Sequence, residues 1–126
     1  MAGVSKYLAE KWLEDEFTNG TTYLALFKSN PGKEGTGDEV DEAGYSRKEI
    51  SFSAPYEEND KFNVKVDTVA FFDEAEENWG EVTHGAVYDS ETGGELLWYG
   101  PLENPRYVLD GDQVVVREDE IVVSLD

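Results

Sequence analysis

From Thr21 onward the chain is cut into short β-type segments by clusters of Gly, Pro, Asn, Asp and Glu, and this punctuation restricts the fold more than any other feature. The segments are Thr21–Phe27, Arg47–Ser53, Phe62–Val66, Val82–Tyr88, Glu95–Tyr99, Arg106–Leu109, Gln113–Arg117 and Ile121–Leu125. Lys48-Glu49-Ile50-Ser51-Phe52 and Phe62-Asn63-Val64-Lys65-Val66 alternate polar with apolar, the period of a half-buried strand. The apolar side continues to Val69, Ala70 and Phe71 with a change of phase. Turn signals separate the segments: Glu57-Glu58-Asn59-Asp60, Asp89 to Gly94, Asp110-Gly111-Asp112 and Glu118-Asp119-Glu120. Strands that follow one another without intervening helices exclude a parallel α/β fold and predict an antiparallel β-sandwich, jelly-roll or Ig-like. With 126 residues, no internal repeat and no linker, the chain reads as a single domain over 1–126, with the sandwich over 21–126.

Two segments depart from this rhythm. Residues 4–17 read as an amphipathic helix. Val4, Leu8 and Trp12 recur at helical spacing, Leu13 and Phe17 widen the apolar arc, Ser5 or Gly3 caps the start, and Asn19-Gly20 stops it. Such a helix covers the open end of a sheet or meets a neighbouring subunit. Residues 29–44 contain Pro31, four glycines and the acids Glu34, Asp38, Glu39, Asp41 and Glu42, which predicts a long exposed acidic loop. Both the helix, through Trp12 and Phe17, and this loop are expected to contact neighbours.

Charge bears on partners. The 29 acids against 10 bases leave a net charge of −19, so duplex nucleic acid and anionic membranes are repelled. The acids are spread along the whole chain, which suits a protein kept compact by screening in concentrated salt. Imitation of nucleic acid toward a basic enzyme is the alternative. The start of the chain lacks the apolar run of a secretory signal, and no segment has the length of a membrane helix, so synthesis in the cytoplasm is expected. Cysteine is absent, which removes disulfides, thiol catalysis and thiolate zinc.

Candidate chemistry is sparse. The single histidine, His84, lies inside a predicted strand and reads as structural or interfacial. Asp110 and Asp112 are weak calcium candidates in what looks like a hairpin turn, and Asp73 to Glu77 is a second acidic cluster; neither has the EF-hand spacing. Asn19-Gly20-Thr21 matches a glycosylation pattern but reads first as a turn. Trp98 and Tyr99 are adjacent on one strand and so point to opposite faces, one to the core and the other outward as an interface or carbohydrate platform. No phosphate loop or dinucleotide fingerprint is present, so no catalytic residue, cofactor or metal is expected and the chain reads as non-enzymatic.

One pattern is more specific. The order Thr22-Tyr23-Leu24-Ala25-Leu26-Phe27, Gly35-Thr36-Gly37-Asp38-Glu39-Val40, Gly44-Tyr45-Ser46-Arg47, Ile50-Ser51-Phe52-Ser53-Ala54-Pro55, Trp79-Gly80-Glu81-Val82-Thr83-His84, Thr92-Gly93-Gly94-Glu95-Leu96-Leu97, Tyr99-Gly100-Pro101-Leu102 and a closing Val122-Val123-Ser124-Leu125-Asp126 resembles small virion proteins of tailed phages, variously labelled tail-fibre or head-decoration proteins. The resemblance spans nearly the whole chain. It implies an oligomeric, non-enzymatic β-sandwich on the capsid or the tail, in contact with copies of itself and other virion proteins. The surplus of Glu and Asp, as in Glu74-Ala75-Glu76-Glu77, departs from that family and points to a virus of a salt-loving host. A carbohydrate-binding receptor module is a further alternative.

Overall fold

The computed structural model describes residues 4–118 and 120–125. Within them the chain is mainly β, antiparallel throughout, with one helical segment at the start. Helix α1 spans Lys6–Leu13, followed by a π turn over Glu14–Thr18. The strands are β1 (Thr22–Phe27), β2 (Lys48–Ile50), β3 (Tyr56–Glu58), β4 (Lys61–Lys65), β5 (Ala70–Phe71), β6 (Gly80–Tyr88), β7 (Leu96–Val108), β8 (Val115–Val116) and β9 (Val122–Leu125). They form a four-stranded sheet ordered β2-β1-β6-β7, a three-stranded sheet ordered β3-β4-β9, and the pair β5-β8. Leu24, Leu26 and Val82 from the first sheet, Val64 and Val123 from the second, and Ala70 and Val116 from the third meet in one buried cluster, which makes the fold an antiparallel β-sandwich.

The helix starts at Lys6, two residues after the predicted Val4, with Ser5, one of the two expected caps, ahead of it. The Ser5 hydroxyl accepts a hydrogen bond from the Leu8 amide at 3.2 Å, satisfying one of the free donors of the first turn. Gly3, the other expected cap, lies outside the described residues. The buried stripe is Ala9, Leu13 and Phe17, shifted by one position from the predicted Val4, Leu8 and Trp12. Phe17 meets Phe52 edge-on with centroids 5.1 Å apart, and Thr18 Oγ1 donates to the Ser53 carbonyl at 2.7 Å. Leu13 and Phe17 thereby join the core, and the helical segment closes one side of the sandwich.

Two further expectations change. Glu95–Tyr99 and Arg106–Leu109 are two ends of one long strand, β7, rather than two strands. Its pairing with β6 is interrupted between Val82 and His84, where Leu102 to Pro105 bulge out opposite Thr83. Pro101 and Pro105 are tolerated because β7 is an edge strand. The segment 29–44 is irregular but not a free loop. Lys28 N donates to Asp38 O at 2.8 Å and Val40 N to Leu26 O at 3.0 Å, so Glu39 pairs with Phe27 and continues the edge that β2 begins. Val40 and Pro31 are buried, and a Cβ on Gly35 would stand 2.7 Å from the Tyr88 hydroxyl. The segment is a strap over the outer face of the first sheet, and Ala25, Phe27, Ala86 and Tyr88 form a second buried cluster on that face.

The turns follow the sequence in part: Glu57 and Glu58, expected in a turn, belong to β3, and Asp110-Gly111-Asp112 is not a hairpin turn, because it joins β7 to β8, which pair with β6 and β5 and not with each other. Asn59 (φ 56°) and Asp60 (φ 63°) both adopt left-handed conformations, as a two-residue type I′ hairpin between β3 and β4 requires. The Glu118-Asp119-Glu120 turn is described on either side of Asp119, which itself lies outside the described residues. There Glu120 N donates to Arg117 O, and the Glu120 carboxylate accepts from Arg117 N and from Arg106 Nη2.

Candidate binding surface

Two features stand out on the folded chain. The first is a nearly buried ionic node that fastens the strap. The Arg47 side chain is 8% exposed and makes a two-pronged contact with Glu39, Nε to Oε2 and Nη2 to Oε1, each 2.9 Å. Its Nη1 donates to the carbonyls of Ser90 (3.0 Å) and Gly93 (2.8 Å), and its guanidinium lies 3.8 Å above the Tyr88 ring. Tyr45 donates its hydroxyl proton to Glu39 Oε2 at 2.6 Å and accepts from Leu26 N at 3.1 Å. Burial, reinforced by the Glu39 carboxylate, holds the Tyr45 hydroxyl far above its ordinary range, so it is a fixed donor at any working pH. Burial opposes the Arg47 charge, but the hydrogen bonds and charge of Glu39 outweigh it and the net shift is upward. This cluster joins the strap, β1 and the 89–94 turn. It spends its hydrogen bonds within the fold.

The second feature is an apolar groove of about 470 Å³ where the sandwich opens between its edge strands. The helical segment supplies Trp12, Leu13, Glu16 and Phe17, β7 supplies Leu97 and Trp98, and β9 supplies Val123, Ser124 and Leu125. Both β7 and β9 are the outermost strands of their sheets. Gly100 leaves the room into which the Trp98 ring folds, since a Cβ there would stand 2.8 Å from it. Among the described residues Glu16 is the one charged side chain on the groove's walls.

The residues singled out in the sequence fall in different places. Trp12 is 46% exposed and stands at the groove mouth. Phe17 is a core residue that only floors the groove, because its ring packs on Phe52. Trp98 and Tyr99 do face opposite sides, but neither is fully exposed: Trp98 packs on the main core and Tyr99 on the second cluster, because the strap covers the outer face. His84 is half-buried on β6 opposite Pro101, with Nδ1 2.7 Å from the Thr83 hydroxyl. Asp112 closes its own turn by accepting from Leu109 N at 2.9 Å, and Asp110 N donates to Asn78 Oδ1. Of the second acidic cluster, Asp73 pairs with Lys48 and Glu77 accepts from Ala43 N. Among the described residues no group of three or more acids and histidines is placed to hold a metal ion, and no helix is long and apolar enough to cross a membrane. Asn19 is exposed and ends the π turn, its amide bonded to Glu14 O. Leu97, Val123 and Leu125 carry no local signal of a site; only the pairing of strands brings them to the groove.

Fold and surface together define a β-sandwich that presents an open edge and exposed aromatic side chains. Residues 3–124 match the family described as podophage GP4 fiber I protein gp80, and the chain belongs to that family. It is therefore a structural protein of a phage virion, from a family of fibre proteins. No curated protein matches the chain.

Proposed function

We propose that residues 1–126 act as one oligomeric surface module of the particle, of fibre type on the tail rather than a decoration on the capsid. The observation that carries this reading is the family match, which covers the sandwich, the strap and the helical segment together. The surface suits the role. Tyr7 and Tyr107 are each 73% exposed, and Phe71 and Trp12 are also exposed, side chains of the kind enriched where proteins meet. The net charge of −19 fits assembly in concentrated salt, where the repulsion between copies is screened. Neither a catalytic step nor a cofactor is needed for such a role.

The test is incorporation. Phage carrying Trp12→Glu are expected to assemble particles depleted in this protein, and Tyr107→Glu likewise. Normal occupancy in both variants would overturn the assignment of these aromatics to contacts within the particle.

A further inference from the structure

We infer that the groove between β7 and β9 receives an extended segment of another protein, apolar at every second residue and bearing Lys or Arg between, which adds to β9 as a further strand. The inference deepens the surface-module reading and rests on it only for the source of the segment.

Backbone geometry carries the first half. Val66 N donates to Ile121 O at 3.2 Å, and the register places Lys65 opposite Val122. The pair Val66–Ile121 is thus a hydrogen-bonded pair of the antiparallel ladder. Alternation makes Val64–Val123 and Phe62–Leu125 hydrogen-bonded pairs too, and Lys65–Val122 and Asn63–Ser124 non-bonded ones. The N–H and C=O groups of Val122 and Ser124 are therefore directed away from β4, toward the side of the sheet on which no further strand lies among the described residues. An incoming strand finds two residues' worth of donors and acceptors already in line. The side chains on the core side of β9, Val123 and Leu125, stand on the groove wall facing Leu97 and Trp98 of β7. Every second side chain of an added strand enters that apolar space while the others face solvent.

Charge selects the occupant. Among the described residues the only charged wall residue is Glu16, and the chain as a whole carries −19. A second copy seated on this edge would set two such charges face to face, with an acid at the groove itself. A segment with basic residues on its outward positions meets complementary charge instead, both at Glu16 and in the field of the whole domain.

The experiment uses the full chain and a short synthetic peptide of alternating Leu and Lys, with alternating Leu and Glu as its counterpart. Trp12 and Trp98 on the groove walls report binding by fluorescence. The Leu-Lys peptide is expected to give a saturable change and the Leu-Glu peptide none. Ser124→Pro removes an N–H that the native ladder does not use, and is expected to weaken binding about tenfold, the equivalent of one backbone hydrogen bond. Ser124→Ala loses only the hydroxyl bonded to Asn63 and binds as the wild type does. Trp12→Ser, which alters the groove mouth at an exposed position, also weakens binding. Wild-type affinity of both Ser124→Pro and Trp12→Ser for the Leu-Lys peptide would mean diffuse attraction to an acidic surface and would overturn the inference, as would equal binding of both peptides or no saturable change at all. A Ser124→Pro chain that fails to fold leaves Trp12→Ser and the peptide pair to decide. None of these outcomes touches the particle assay, so the groove can fail while the virion role stands.

Discussion

Replacing Arg47 with Met tests what holds the strap to the sandwich. The substitution keeps part of the apolar stem and removes four hydrogen bonds, two to the Glu39 carboxylate and two to the carbonyls of Ser90 and Gly93. Breaking a fully buried pair by removing one partner costs about 3–5 kcal/mol, mainly because the remaining charge is stranded. Glu39 is 27% exposed and keeps its bond from Tyr45, so partial rehydration brings the expected loss to the lower end, about 3 kcal/mol. For a domain of this size that corresponds to a fall in Tm of roughly 12 °C. Urea unfolding followed by the fluorescence of buried Trp79 measures it, because Tyr45 packs edge-on against that ring. Combining Arg47→Met with Glu39→Gln should recover part of the sum, with a coupling of about 1.5 kcal/mol or more between the two sites. A loss under about 1 kcal/mol for Arg47→Met, or additive effects in the double variant, would refute the view that this node fastens the strap.

Other perturbations probe neighbouring parts of the account. Lys28 forms a half-buried bridge to Glu42, and the Lys28 hydrogen bond holds the Glu42 carboxyl below its usual range. A depressed carboxyl pKa contributes stability above the unfolded value of 4.5 and loses it as pH falls through the folded value, so the stability gap between wild type and Lys28→Met should narrow on acidification below pH 4.5; a gap constant with pH contradicts this. Gly44 sits at φ +92° with its Cβ direction 2.7 Å from Glu74 O, so Gly44→Ala should lose about 2 kcal/mol or more in denaturant melts. Thermal melts in dilute buffer and in molar KCl should differ by on the order of 5 °C in favour of salt, and equal melting temperatures would remove the link between the acidic surface and concentrated salt.

How far the sequence reveals this fold depends on how local the information is. Thr22–Phe27, the clean alternation of β4 and the Asn59-Asp60 turn are legible because short-range residue preferences decide them. The long strand β7 is not, because Gly100-Pro101 and Asn104-Pro105 read as breaks wherever the strand's position at a sheet edge is unknown. The strap is hidden by its composition: glycines and acids mask Val40 and Pro31, whose burial depends on a sheet face distant in sequence. The Arg47 node joins residues from three irregular segments, and no spacing announces it. Trp12 reads from the sequence as part of the helix's apolar arc, and its exposure, like the β7 and β9 walls of its groove, emerges only from the packing of the elements.

The central claim, a fibre-type module on the virion surface, is tested most directly by electron microscopy of purified particles decorated with gold-labelled antibody against this chain. Label confined to the tail, at several copies per particle, is the expected result. Label over the capsid shell would contradict the fibre-type placement, and particles free of label would contradict the proposed role as a surface module.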